Sequence, residues 1–266
     1  RTPSSLLPSL VILLLLLASP LLPPAHTASA QAPLTQIDLP TPTGSVSFGA
    51  RVLTLPNGNF VVTDPGWNDR RGAAYLYNGK TLEIISRIVG ARRNSDIGQE
   101  LWLLTNGNFV VHGQNQVYGA VTWGDANTGF VNGGGVVNER NSLVGSTPGD
   151  SIGNLGIVTL PNGNYLVRSP FWNNGNATSA GAVTWGNGAT GSVGKVGAQN
   201  SLVGSSPYDR VGEQEIDVLS NGNYLVYAYT WDNGSIVNAG ATTWGNGATG
   251  SAGVLSAANS LVGSME

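Results

Sequence analysis

The chain has no cysteine, which excludes a disulfide framework and any thiolate-held zinc or iron–sulfur centre. Histidine is nearly as scarce, with two in 266 residues. Of these, His112 falls in a strand-like stretch with no counterpart in the related stretches described below, and no G-x-S-x-G elbow accompanies it. No P-loop occurs, and no dinucleotide fingerprint follows a strand and opens a helix. Asp64 and Asp232 fall on or near aromatic loops, but no carboxylate pair is marked out for glycoside hydrolysis. These absences predict a protein that is not an enzyme. Charged residues make up only 10%, and the formal net charge is −3, so the basic footprint that nucleic-acid phosphates require is missing. Arg70, Arg71, Arg87, Arg92 and Arg93 form a local exception, readable as a solvated face or an anion site.

Long apolar runs are also rare. The one that stands out, Leu10 to Ala18, is too short to span a membrane as a helix. It follows a basic start and precedes Ala28-Ser29-Ala30, a small-x-small cleavage pattern. Residues 1–30 therefore read as a signal peptide, with an exported mature chain beginning near Gln31 and no membrane span after cleavage. Residues 31–47, with Pro33, Pro40 and Pro42, read as a linker that contributes a strand through Ile37-Asp38-Leu39.

What the chain has in quantity is glycine, 38 residues of it, set among Thr, Val, Asn and Ser, a composition suited to short strands and tight turns. Leu160-Pro161-Asn162-Gly163-Asn164-Tyr165-Leu166-Val167 recurs with small changes at Leu55, Leu104 and Leu219. Asn-Gly between apolar runs is a strong hairpin signal, and the pairs Asn57-Gly58, Asn106-Gly107, Asn162-Gly163 and Asn221-Gly222 predict type I′ turns with positive φ at both residues. Further landmarks keep step: Gly181-Ala182-Val183-Thr184-Trp185-Gly186, the turn Asn187-Gly188-Ala189-Thr190-Gly191, an apolar strand around Val193 to Val196, and a closing Asn-Ser-Leu-Val-Gly at Asn141, Asn200 and Asn259. The last two hairpin turns lie 59 residues apart and the first two 49 apart.

The boundaries are repeat 1 over 48–98, repeat 2 over 99–153, repeat 3 over 154–212 and repeat 4 over 213–266, the last incomplete at its C-terminal end. A period of this length with four strands predicts an all-β, β-propeller-like array of four-stranded antiparallel repeats. A β-solenoid is the competing architecture. Neither a closed ring nor a longer array is singled out.

Two sets of tryptophans follow the repeats. Trp123, Trp185 and Trp244 end the third strand and are expected between blades, each indole N–H on a carbonyl. Trp67, Trp172 and Trp231 lie in loops beside Asn68, Asn173 and Asp232. Those six residues are the candidate ligand site: rings for a sugar face and amides for its hydroxyls, with rings folded back as plugs as the other reading. No D-x-[DN]-x-[DN]-G loop occurs and no metal site is predicted, although Asp and Asn oxygens in Gly-rich loops leave calcium open as a cofactor.

Together, the run from Asn162 to Gly175, then Gly181 to Gly188, then Asn200 to Ser205, resembles tandem repeats in large bacterial surface proteins of the filamentous-haemagglutinin and autotransporter-adhesin kind. The resemblance covers about residues 48–266 and carries over no functional residue. It implies a secreted or cell-surface location and a binding or adhesion role, with a glycan or a host or cell-surface protein as partner. A secreted carbohydrate-active enzyme or lectin using the tryptophan loops is the alternative expectation, and a structural spacer in a longer surface protein is a third.

Overall fold

Each Leu-x-Asn-Gly-Asn stretch folds as a short hairpin loop. In the third repeat the Gly163 amide donates to the Leu160 carbonyl and the Leu160 amide to the Asn164 carbonyl, at 3.1 and 2.8 Å. Equivalent pairs of bonds close the loops at Leu55, Leu104 and Leu219. Only the glycine takes positive φ: 87° at Gly58, 88° at Gly107, 92° at Gly163 and 83° at Gly222. The expectation of type I′ turns is thereby corrected, because that type needs positive φ at the asparagine as well. The observed form is a three-residue loop ending in a left-handed glycine. Pro56 and Pro161 suit its first corner, where the ring holds φ near the value required. Each asparagine accepts from the amide two residues on, as Asn162 Oδ1 does from Asn164 at 3.1 Å, and this leaves its NH2 group for another partner.

The computed structural model describes residues 38–113 and 118–264. The signal-peptide reading of residues 1–30, the linker reading up to residue 37, residues 114–117 and the last two residues lie outside the described residues. The chain divides into Arg1–Asp38 and Leu39–Glu266.

The first repeat supplies β1 (Arg51–Thr54), β2 (Phe60–Asp64), β3 (Ala73–Tyr77) and β4 (Ile84–Val89). The second supplies β5 (Ile97–Leu103), β6 (Phe109–Gly113), β7 (Ala120–Asp125), β8 (Gly129–Phe130), β9 (Gly134–Val136) and β10 (Leu143–Val144). From the third come β11 (Ile157–Thr159), β12 (Tyr165–Ser169), β13 (Ala182–Gly186), β14 (Gly194–Lys195) and β15 (Ser201–Val203). The fourth contributes β16 (Ile216–Val218), β17 (Tyr224–Ala228), β18 (Ala241–Gly245), β19 (Gly253–Val254) and β20 (Ser260–Val262).

Within each repeat the sheet is an antiparallel meander: β1-β2-β3-β4, β5-β6-β7-β10, β11-β12-β13-β15 and β16-β17-β18-β20. Three short strands then cross over. β9 pairs in parallel with β4, β14 with β10 and β19 with β15, so each later repeat lends a strand to the sheet before it. This corrects the expected strand around Val193 to Val196, which belongs to the preceding sheet. The fourth strand of the third repeat is instead Ser201–Val203, inside the recurrent Asn-Ser-Leu-Val-Gly.

That motif now has a physical reading. Asn200 folds the loop behind the lent strand, accepting from the Gly197 amide at 3.0 Å and donating to the Lys195 carbonyl at 2.9 Å. Ser201 meets Thr184 of β13 at 2.7 Å, and the same hydroxyl pair joins Ser142 to Thr122 and Ser260 to Thr243. Leu202 faces the next repeat. Trp-Gly is equally local: Gly186 sits opposite Tyr165, and a Cβ there would meet the tyrosine ring at 2.1 Å, so the ring lies flat over a bare backbone.

The core is made at the joints. One cluster combines Leu55, Val61, Leu76 and Ile88 with Ile97, Phe109 and Val111; a second combines Leu104, Val110, Trp123 and Leu143 with Tyr165, Val167 and Trp172. A third joins Leu160, Leu166 and Leu202 to Tyr224, Val226 and Trp231. Alternating side chains of each sheet serve opposite neighbours, so every interior sheet is covered on both faces. Removal of each large aliphatic side chain from water contributes about 1.5–3 kcal/mol, and the repeats therefore stabilise one another rather than themselves. Among the described residues, neither a core cluster nor a strand pairing joins the first repeat to the fourth. Among the described residues the protein is nearly all-β, four propeller-like blades with no closed barrel. Leu39 and Phe48 pack on the outer face of the first sheet, but Asp38 and Leu39 form no strand, contrary to expectation.

Candidate functional site

The tryptophan loops do not carry exposed rings. Trp172 and Trp231 are only 5% and 4% exposed and belong to the second and third joint clusters. Their burial follows from the loop recoil: the Trp172 amide donates to Ser169, and the Gly181 amide donates back to Trp172. A ring in that position adds a large apolar area to the joint instead of presenting a face to a sugar. Trp67 remains partly accessible, with its indole N–H on the Thr43 carbonyl at 2.9 Å and the Arg87 guanidinium 5.9 Å from its ring.

The neighbouring polar groups are engaged as well. Asn173 donates through its amide and side chain to Asp150 at 3.1 and 3.0 Å and accepts from the Ser179 amide at 2.9 Å. Asp232 donates its amide to Asp209 at 3.1 Å and accepts from the Asn238 amide at 2.8 Å. Asn68 occupies a tight turn at φ 44°, its amide on the Gly44 carbonyl at 2.9 Å. Burial pushes the Asp209 carboxyl above the usual carboxylate range, against the lowering effect of three backbone amides. The candidate residues are thus spread over three loops, each tied down locally.

The structure gathers a different set. Asn106 and Asn108 donate to the carbonyl of Gly188 in the next repeat, at 2.6 and 2.9 Å, and the Trp123 indole N–H reaches the same oxygen at 3.0 Å. One repeat later Asn162, Asn164 and Trp185 hold the Gly247 carbonyl at 2.9, 3.0 and 3.1 Å. At the first joint Asn57 and Asn59 hold Ala126 at 2.8 and 2.9 Å, where Leu76 replaces the tryptophan. The Asn-Gly-Asn turn is therefore a clasp on a neighbour's carbonyl. Sequence reading assigned the first asparagine to turn geometry and missed its second use. The available signal was the second asparagine, which a hairpin alone does not require.

A third contact falls on one strand position. His112 is buried, with Nε2 3.0 Å from the Ile152 carbonyl and Nδ1 3.3 Å from Glu100. Its hydrogen bond holds the Glu100 carboxyl below the usual carboxylate range. Arg168, at the equivalent place, donates to the carbonyls of Gly212, Glu213 and Gln214 at 3.0, 2.8 and 3.0 Å. Arg168 thus reaches into the next repeat, whereas His112 ties together two segments of its own.

The expected arginine cluster is dispersed: Arg70 pairs with Asp96 at 2.9 Å, Arg87 lies by Trp67, and Arg92 stacks 4.5 Å over Tyr118. Arg92 and Tyr118 line a cleft of about 330 Å³ with Val137, Ser146 and Lys195. Among the described residues no group of three or more His, Asp or Glu side chains could hold a metal ion. No helix among them is long and apolar enough to cross a membrane.

Comparison with the curated proteins finds no match. A family model matches four successive segments, residues 54–99, 103–154, 159–213 and 218–266, in step with the four sheets. By that match over most of its length, the chain belongs to the DUF5650 family, a repeat of unknown function.

Proposed function

We propose that the chain is a non-enzymatic structural and binding module, acting at the cell surface or outside the cell, that presents a stiff row of repeats to other proteins. The observation that carries this reading is the engagement of its motifs: the Asn-Gly-Asn amides of the first three repeats, Trp123, Trp172, Trp185 and Trp231 serve the joints between repeats. A module built this way works through the surface of the array and not through a pocket chemistry. Export rests on the leader-like residues 1–30, and the adhesin-like role on the resemblance of the repeats. The glycan-active alternative loses its main support with the burial of two of its three rings. A glycan-array screen of the chain and of Trp67→Ala tests the choice. The expected result is no glycan signal that depends on Trp67; saturable binding lost in Trp67→Ala would favour a lectin.

A further inference from the structure

Each interior joint pairs a face carrying a clasp, an apolar patch and a sheet edge with a following repeat that fills all three. The fourth repeat carries the same face uncovered. Leu143 and Leu202, at equivalent places in the Asn-Ser-Leu-Val motif, are 1% and 2% exposed, whereas Leu261 is 80% exposed. Trp123 is buried and Trp244 is 49% exposed. Val110 and Leu166 are buried, whereas Leu225 is partly open. Asn221 and Asn223 keep the loop-internal bonds of the motif, to the Asn223 and Gly247 amides at 3.0 and 3.1 Å. Among the described residues, however, their NH2 groups and the Trp244 indole N–H meet no acceptor. Among the described residues β20 has a partner on one side only, where β10 and β15 each have a lent parallel strand on the other.

We propose that this face of the fourth repeat is a docking surface for one further complete repeat of the same family. That repeat supplies a turn carbonyl to Asn221, Asn223 and Trp244, a short parallel strand to β20, and apolar cover to Leu225 and Leu261. The inference goes beyond the functional reading above, since it specifies the occupant of one face whatever the array binds elsewhere. Three joints in the same molecule show what covers a face of this kind.

The first repeat of a second copy is a poor mate. Only Asn78–Glu83 links β3 to β4, and no strand is lent from that stretch. Its outer face is already occupied by Phe48, whose ring centroid lies 5.9 Å from that of Tyr75. The occupant is therefore a repeat of the type spanning 103–154, 159–213 or 218–266, which carries the lent strand. One corner of the new joint is more polar than its predecessors. Asp217 stands where Val158 stands one repeat earlier, and it accepts from the Tyr227 hydroxyl at 2.7 Å.

The absence of cysteine gives a clean probe. Leu261→Cys is made in the chain as it stands and in a chain extended after Ser264 by a second copy of residues 206–264, which continues the 59-residue period in register. Leu202→Cys in the unextended chain serves as the buried reference. The introduced thiol at position 261 is expected to react freely with a thiol reagent in the unextended chain. In the extended chain it should slow by about two orders of magnitude, toward the buried reference, because reaction then requires local opening of the joint. Equal reactivity in both chains overturns the proposal, and so does an appended repeat that adds no strand signal by circular dichroism. Protection in the unextended chain that grows with protein concentration assigns the face to a second copy and overturns the choice of occupant.

Discussion

At the outer face of the first repeat, Tyr75 and Tyr77 lie under Phe48, with ring centroids 5.9 and 6.4 Å apart, and Phe60 stacks on Tyr77 at 5.3 Å. Among the described residues the opposite face of the fourth repeat has no such cover, and Trp244 and Leu261 stand open beside an unpaired strand edge. Both faces descend from one repeat pattern. The first repeat keeps its clasp for the second, and its opposite face, which receives no clasp, is covered by Phe48; burial there pushes the Tyr75 phenol up to about 12. The fourth has kept the clasp, the leucine and the edge. The difference teaches that a residue's role in this protein is set by whether a neighbour is present, since Leu202 and Leu261 share the same five-residue motif.

That comparison can be broken most forcefully at the leucines. Leu202→Asp places an uncompensated charge in the third joint and is expected to cost about 3–5 kcal/mol or to prevent folding of the fourth repeat. Leu261→Asp should stay within about 0.5 kcal/mol of the parent. Urea denaturation followed by circular dichroism reads both, and equal losses would show that the open face is not open.

The tryptophans give the next effect in size. Trp172→Ala empties part of the second joint and is expected to lower stability by about 3–5 kcal/mol, whereas partly exposed Trp67→Ala should cost about 1 kcal/mol. Thermal unfolding distinguishes them, and a mild Trp172→Ala would return that ring to the list of ligand contacts.

A smaller effect isolates the clasp itself. Asn162→Ala and Asn221→Ala lose the same bond within the loop, to the amide two residues on. Only Asn162 also holds the Gly247 carbonyl. The difference between their denaturation midpoints should therefore correspond to about 1 kcal/mol, with Asn162→Ala the weaker protein.

The smallest effect is expected at Glu100. Its carboxyl titrates below the usual range because His112 hydrogen-bonds it, so its contribution is present above the unfolded value of 4.5 and is lost as pH falls through the lower folded value. Because the carboxylate is partly exposed, the contribution is below about 1 kcal/mol. The stability gap between the parent and Glu100→Gln, measured from neutral pH downward, should close in that acidic window and not above it.

Much of this architecture was legible in the residues. Asn-Gly-Asn between apolar runs marked each hairpin, and the recurrence of Asn-Ser-Leu-Val-Gly gave the period, because turns and strand alternation are local properties. The lent strand was not legible: Gly194 and Lys195 follow a turn as a fourth strand would, and nothing nearby in sequence says that β10 waits on the other side. The tryptophan loops left two readings open for a similar reason. Asn173 and Asp232 looked like free polar groups beside a ring, but their partners, Asp150 and Asp209, come from 23 residues earlier in the chain.

By itself, then, the sequence determined the β class, the positions of the hairpin turns and the repeats, all of which rest on interactions spanning a few residues. Only the tertiary structure decided which face of each strand meets a neighbour, that Trp172 and Trp231 fill joints, and that Asn106 and Asn162 clasp a carbonyl more than eighty residues away. A repeat pattern specifies equal surfaces; which of them is buried depends on the next repeat, and that contact is long-range.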